Sequence, residues 1–126
     1  MRSGGQGVRR LLPSGMDPIS YDEFLKVDIR VGRIVQADDF PKARKPAYRL
    51  RIDFGPLGVK NSSAQLTTRY RRDELVGTLV LAVVNFPPRQ IADFFSEVLT
   101  LGVILADGAV VLVYPERDVP LGSPIR

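Results

Sequence analysis

The chain contains no cysteine and no histidine. Their absence excludes disulfides, thiolate nucleophiles, thiolate or imidazole zinc sites, Ser-His-Asp triads and a histidine general base. Without cysteine, the composition is also silent on redox compartment. Tryptophan is missing too. Long apolar runs are absent: the longest unbroken aliphatic stretch, Leu79 to Val84, is six residues, against about twenty for a membrane-spanning helix. Any chemistry is left to Asp, Glu, Lys, Arg, Ser, Thr and Tyr. The adjacent carboxylates Asp38-Asp39 and Asp73-Glu74 are the plainest candidates. The first pair reads as loop charge and the second as charge at a helix N-terminus. No catalytic residue, metal ligand or cofactor site is therefore assigned, and an enzyme is the least favoured class.

What is present suits one ordinary domain. The 126 residues are 44% hydrophobic and 25% charged, enough to build a core, which excludes disorder across the whole chain. The net charge of +4 hides a strong pattern. Residues 40–72 carry Lys42, Arg44, Lys45, Arg49, Arg51, Lys60, Arg69, Arg71 and Arg72 against Asp53 alone, a net +8. The flanks are acidic, −3 over residues 16–39 and −4 over residues 73–126. A concentrated positive field attracts and orients polyanions, and phosphate backbones are the commonest such partner. Charge alone leaves a second reading open, in which the basic stretch is a solvated surface balanced in space by the acidic flanks.

Residues 1–15 hold four glycines and one proline with no apolar period, and read as a flexible N-terminal extension outside a folded domain of residues 16–126. The acid-free, Arg-bearing start matches a transit peptide weakly. A vector remnant, or translation begun upstream of a true start at Met16, is at least as good a reading.

Ser20-Tyr21-Asp22-Glu23 has the capping-box form, which predicts a short helix over Tyr21 to Lys26 with Phe24 and Leu25 against the core. From Val27 the period changes to two, Val27, Ile29 and Val31 alternating with Asp28, Arg30 and Gly32, the mark of a strand with a bulge or bend at the glycine. A loop follows from Asp38 to Pro46. Tyr48, Leu50, Ile52 and Phe54 then alternate with Arg49, Arg51 and Asp53, predicting a strand with two arginines on its polar face. Val59 to Leu66 reads as a third strand, and Tyr70 to Val76 as one or two helical turns closed by Gly77. Leu79 to Phe86, Val98 to Leu105 and Ala109 to Tyr114 read as strands, the last two joined at Asp107-Gly108. The tail from Pro115 is expected to wrap the surface without regular structure. The pattern predicts an all-β fold, a small antiparallel barrel with a short N-terminal helix and a short helix after the third strand. The runs LVLAVV and GVILA are apolar on both faces, which predicts cover by the chain's own tail or termini or by a second copy, a homodimer being the favoured reading.

Six phrases then occur in order: VDIRVGRI from Val27, FPKARK from Phe40, SSAQ from Ser62, DELVG from Asp73, NFPPRQ from Asn85 and SEVL from Ser96. Together they resemble the OB-fold tRNA-binding domain family, which includes free-standing dimeric tRNA-binding proteins and domains appended to methionyl- and phenylalanyl-tRNA synthetases. Within it, ARKPAYRL, KNSSAQLT, VVNFPPRQI and SEVLTLG look like the CsaA subgroup, described as export-related chaperones. The resemblance runs from about Ser20 to Ile125. It implies a non-catalytic, cytoplasmic, homodimeric tRNA-binding protein with a chaperone role in protein export. The second reading it leaves is a peptide-binding secretion chaperone with no physiological RNA ligand.

The resemblance places tRNA contacts on one barrel face and its adjoining loops, implying Lys42, Arg44, Lys45, Ser63, Asn85, Ser96 and Arg89, with Gln90 the alternative to Arg89 at a position where the family has lysine. Charge and strand polarity add Arg49, Arg51 and Lys60. Phe86, Phe94 and Phe95 are the candidate contacts for a polypeptide, although at least one of Phe94 and Phe95 is expected to seal the barrel end or an interface. Phe40, Phe86 and Tyr48 read as core or loop anchors before stacking platforms. The chain departs from the family pattern in three places. Ala64 stands where a Ser-Gly pair has glycine, Leu99 where many members have methionine, and Glu97 where a Ser-Gln pair has the amide. An acid in place of an amide removes two donors and adds a charge that repels phosphate.

Overall fold

A computed structural model describes residues 16–126, and the expected extension, residues 1–15, lies outside them. Helix α1 spans Tyr21–Leu25. Ser20 caps it as the sequence requires: the Glu23 N–H donates to Ser20 Oγ at 3.0 Å and the Ser20 N–H to Glu23 Oε1 at 3.0 Å. Phe24 is half-buried, while Leu25, expected against the core, is exposed.

Ten strands follow: β1 (Ile29–Asp39), β2 (Tyr48–Asp53), β3 (Val59–Ala64), β4 (Leu79–Val83), β5 (Arg89–Ile91), β6 (Phe94–Ser96), β7 (Leu99–Thr100), β8 (Gly102–Ile104), β9 (Val110–Leu112) and β10 (Pro124–Ile125). A second short helix, α2 (Arg72–Leu75), lies between β3 and β4. The main sheet runs β3-β2-β1-β4-β7, with β10 also on β1, and its pairings are antiparallel. The long strand β1 serves both halves. Ile29 to Arg33 pairs with β4, and Arg33 to Asp39 pairs with β2.

The register on β2 slips between Ile34 and Gln36, which puts the bulge at Val35 and not at Gly32. A bulge bends a strand and tightens its twist, as a strand shared by two sheet halves needs. Gly32 has another cause. A Cβ there would lie 2.5 Å from Ile52 Cγ2 and 2.7 Å from the Phe54 ring, so glycine lets the core side chains press onto the backbone.

Inside sit Ile34, Leu50, Ile52, Phe54, Leu66, Leu75 and Val80, all fully buried. The alternation read in β2 is the one observed, with Tyr48, Leu50 and Ile52 inward. Buried Tyr48 donates its hydroxyl to the Tyr70 carbonyl at 2.7 Å, and the Tyr70 hydroxyl accepts the Leu112 N–H at 3.1 Å. These two rings tie the α2 approach to the barrel wall without leaving a buried polar atom unpaired.

Closure of the barrel is the unusual part. The free edge of β3 meets residues 96–98, and side chains complete what backbone alone does not. Glu97 N–H donates to the Asn61 carbonyl at 2.8 Å. In return the Asn61 N–H donates to Glu97 Oε1 at 2.8 Å, and the Ser63 N–H to Ser96 Oγ at 3.0 Å. Below them Ser62 Oγ and Thr100 Oγ1 are 2.8 Å apart. Ser62 is fully buried, so this bond satisfies a hydroxyl that water does not reach.

Several expectations are corrected. Val98 to Leu105 is not one strand, because at Leu101 the chain turns its N–H to the Leu81 carbonyl, 2.8 Å away, and β8 leaves to pair with β9. Residues 89–96 form a hairpin that the sequence pattern did not signal. Its two-residue loop is Ala92-Asp93 in place of the usual Gly or Asn, and Ala92 takes φ 55°. The tail is not wholly irregular, since Ile125 and Pro124 pair with Ile29 and Arg30. The Asp107-Gly108 turn is where it was expected, with Gly108 at φ 88° and the Ala109 N–H on Asp107 Oδ1.

The packing at Gly32 yields a direct test. Gly32→Ala forces a methyl group against Ile52 and Phe54, and overpacking of this kind costs about 1–3 kcal/mol. Urea unfolding should show a lower midpoint with an unchanged slope. An unchanged midpoint would mean that the interior has slack there.

Candidate nucleic-acid interface

The loop between β1 and β2, the β5–β6 hairpin and the seam of β3 with residues 96–98 enclose a cleft of about 1130 Å³. Its rim carries Arg44 and Lys45 from the loop, Arg89 from β5, and Phe86. Its walls are largely apolar, from Ala64, Leu66, Val98, Leu101 and Leu112, crossed by a polar stripe of Ser63, Ser96, Glu97 and Thr100. Arg44, Lys45 and Arg89 take part in no ion pair among the described residues. Two adjacent cations and a third more than forty residues further along the sequence thus meet at one opening.

The cleft's two upright walls are fastened to each other. Lys42 Nζ lies 3.0 Å from Asp93 Oδ2, joining loop to hairpin turn. Beneath that pair, Phe40 and Phe94 meet edge to face with ring centroids 5.3 Å apart. Arg49 covers the Phe40 ring at 5.7 Å and donates from Nε to the Asp39 carbonyl at 3.0 Å. Phe40 and Tyr48 are buried, as expected of anchors, and Phe94 is half-buried. Phe86 and Phe95 are about half exposed, at 51% and 52%. Of the two, only Phe86 borders the cleft.

The outer face of β2 continues this surface. Arg49 stands opposite Ser63, and Arg51 opposite Asn61, so both share a face with the seam residues. Arg51 reaches Asn61 Oδ1 at 3.3 Å. The face is not purely basic, since Asp38 of β1 stands opposite Arg49. Lys60 stands opposite inward-facing Ile52 and so lies in the other row, apart from the strand arginines.

Three of the expected contacts already hold structural bonds. Asn85 clamps the start of the barrel, accepting the Asp28 N–H at 3.0 Å and donating to the Lys26 carbonyl at 2.8 Å. Ser96 Oγ accepts from Ser63 and donates to the Val98 carbonyl. Ser63 is half-buried, and its N–H is the one that Ser96 takes. The remaining basic residues lie elsewhere. Around α2, Arg72 sits 3.4 Å from Asp39 and Arg71 3.7 Å from Asp73, beside a second, shallower hollow. The charge block of residues 40–72 therefore divides into a cleft side and a helix side, and acids neutralise much of the second.

The sequence reading missed Asp93 and the positive role of Glu97. Asp93 is one acid in a stretch without periodicity, and nothing local ties it to Lys42, 51 positions away. Glu97 was visible as a departure, but its backbone partner on β3 appears only once the barrel closes.

The hydrogen bond from Lys42, reinforced by that ammonium's charge, holds the Asp93 carboxyl below its ordinary value of 3.8. A carboxylate with a depressed folded pKa adds stability above the unfolded value and loses it as pH falls through the folded one. The loop–hairpin fastening is thus intact at neutral pH and through the mildly acidic range. Carboxyl-carbon NMR should give an Asp93 midpoint under 3.8, returning to the ordinary range in Lys42→Ala. A midpoint at or above the ordinary value in the unaltered chain would contradict the pair.

Comparisons with known proteins bear on this geometry. The family model described as "Putative tRNA binding domain" matches residues 29–124. A methionine–tRNA ligase of Porphyromonas gingivalis is 36% identical over 110 residues. That match takes in 87% of this chain but 16% of the ligase, so the chain spans about a sixth of that relative's length. The chaperone CsaA of Bacillus anthracis superposes with a TM-score of 0.83 at 48% identity, covering 86% of this chain and 99% of that one. The CsaA chaperone of Picrophilus torridus superposes at 0.81 with 54% identity, covering 86% and 100%. With a barrel of this topology and a family model spanning most of it, the chain belongs to the tRNA-binding domain family.

Proposed function

We propose that the chain binds tRNA through the rim of the cleft and the adjoining face of β2, without catalysing a reaction on it. The observation that carries this reading is the convergence of Arg44, Lys45 and Arg89, free of ion pairs among the described residues, on one opening. Arg49 and Arg51 extend the positive surface along β2. Guanidinium groups bind phosphate oxygens in a fixed fork, and an ammonium adds a point charge. RNA recognition favours loops and splayed bases over regular duplex, which suits a cleft flanked by loops. Lys42 contributes weakly while Asp93 holds it, and Ser96 and Asn85 support the site from within the fold. A cytoplasmic location is part of the same proposal.

A second reading rests on a different feature of the same cleft. Its apolar walls and exposed Phe86 suit an extended polypeptide, and similarity to proteins named CsaA chaperones favours such a role in export. The two readings share one opening, so RNA and polypeptide should compete.

We also propose a homodimer. The run LVLAVV needs no partner, because Leu79, Val80, Ala82 and Val83 are buried by the chain itself. GVILA differs: Val103 is 50% exposed and Ile104 71%. Leu99 is 48% exposed as well, so three large apolar side chains of β7 and β8 are left uncovered by the chain, which water disfavours. Val103→Asp with Ile104→Asp should give a monomer by sedimentation equilibrium, while the parent chain sediments at twice its 14.0 kDa. A parent chain sedimenting as a monomer would remove the dimer.

Filter binding of bulk tRNA at several salt concentrations tests the main reading. Neutralising about five phosphates gives a slope of log affinity on log salt of about −4. Arg44→Glu with Lys45→Glu should weaken binding at least about tenfold and flatten that slope by about 1–2. A slope near zero, or a variant that binds as the parent does, would overturn it.

A further inference from the structure

We infer that the cleft admits one unstacked nucleobase, and that Glu97 reads it by accepting hydrogen bonds from its Watson–Crick edge, which selects guanine. The inference rests on the RNA reading and names the part of the RNA that enters. Among the described residues, Glu97 is the one carboxylate that lines the cleft, in an opening whose rim is cationic. It is held in place: Oε1 accepts the Asn61 N–H at 2.8 Å, and its own N–H bonds the Asn61 carbonyl. An ionised carboxylate accepts about four hydrogen bonds on two oxygens, so acceptor capacity remains for a ligand.

Two of the neighbouring polar side chains are already engaged within the fold. Ser96 Oγ accepts from Ser63 and donates to Val98, and Thr100 Oγ1 pairs with Ser62. A molecule entering therefore meets three kinds of surface: exposed cations, apolar side chains, and a preorganised acceptor. Phosphate satisfies the first and is repelled by the last. A nucleotide satisfies all three when its phosphates stay at Arg44, Lys45 and Arg89 and its base goes in. Half-exposed Phe86 at the rim supplies a stacking face.

The bases differ in what they show a carboxylate. Guanine presents N1–H and its 2-amino group side by side, a two-donor edge that matches two acceptor oxygens. Adenine and cytosine each set one amino group beside a ring-nitrogen acceptor, which faces the carboxylate with a like lone pair. Uracil sets its single N3–H between two carbonyls. Each good bidentate base contact gives about tenfold discrimination or more.

The test uses the full chain and fluorescence anisotropy with labelled hexaribonucleotides, five uridines and one central residue varied as guanosine, inosine, adenosine, cytidine or uridine. Guanosine should bind about tenfold tighter than adenosine, cytidine or uridine, with inosine between because it lacks the 2-amino group. Glu97→Gln keeps an oxygen for the Asn61 N–H, and so keeps the fold by thermal melt. It should bring the five oligomers to within about twofold. Equal affinity for all five in the parent chain overturns the base site and leaves the RNA reading standing. Loss of salt-dependent binding to tRNA itself overturns both. A guanosine preference that persists in Glu97→Gln removes Glu97 from the site. A lysine-rich peptide bound by the parent but not by Glu97→Gln, with no preference among the oligomers, assigns the carboxylate to a polypeptide and overturns the nucleobase.

Discussion

A β-strand edge left open is a row of unpaired donors and acceptors, and this barrel closes one with side chains. Asn61 and Ser63 would present their N–H groups to solvent on the free side of β3. Glu97 Oε1 and Ser96 Oγ take them, while the Asn61 carbonyl accepts from Glu97 and Val98. The cleft depends on this closure. The seam forms its back wall, and the β5–β6 hairpin that ends at Ser96 forms one side. Backbone pairing along the same edge would satisfy β3 equally well, but it would align these residues in a flat ladder and bring no carboxylate to the cleft.

The other wall is fixed by a different set of forces. Phe40 and Phe94 pack edge to face, Arg49 lies over Phe40, and Lys42 meets Asp93 above them. Both charged partners of that last pair are about two-thirds exposed, so their attraction is screened and small. The buried aromatic contact sets the position and the ion pair orients the loop tip. Electrostatics then acts at two levels. Acids on β1, α2 and the hairpin turn pair with Arg72, Arg71 and Lys42, while Arg44, Lys45 and Arg89 at the cleft take part in no ion pair among the described residues. The acidic flanks of the sequence pair with part of the basic block and leave the cleft cations without ion pairs among the described residues.

Much of this was legible in the sequence, and for identifiable reasons. The Ser20 cap, the alternation of β2 and the Asp107-Gly108 turn are local, and local rules found them. The six ordered phrases pointed to the family that the comparisons bear out. What escaped was set by partners distant in the chain. Strands of two or three residues, such as β7 and β10, are too short to show a period, and they exist because β4 and β1 offer them an edge. The bulge falls at Val35, where two sheet halves meet, while Gly32 marks close packing. In the site, Arg44 and Lys45 were found by charge, but the bonds holding Ser96 and Asn85 became visible only when residues 33 and 57 positions away came into contact. A serine or asparagine in a family motif is then explained by folding as readily as by ligand contact.

On the proposed reading, the anion-binding surface is the cleft rim and the β2 face, not the arginines near α2. Mapping amide chemical shifts on the labelled chain during titration with tRNA tests it most directly. The account predicts that shifts and line broadening concentrate in residues 43–51, 61–64 and 86–98. Perturbations centred on residues 69–73, with the cleft unaffected, would contradict it.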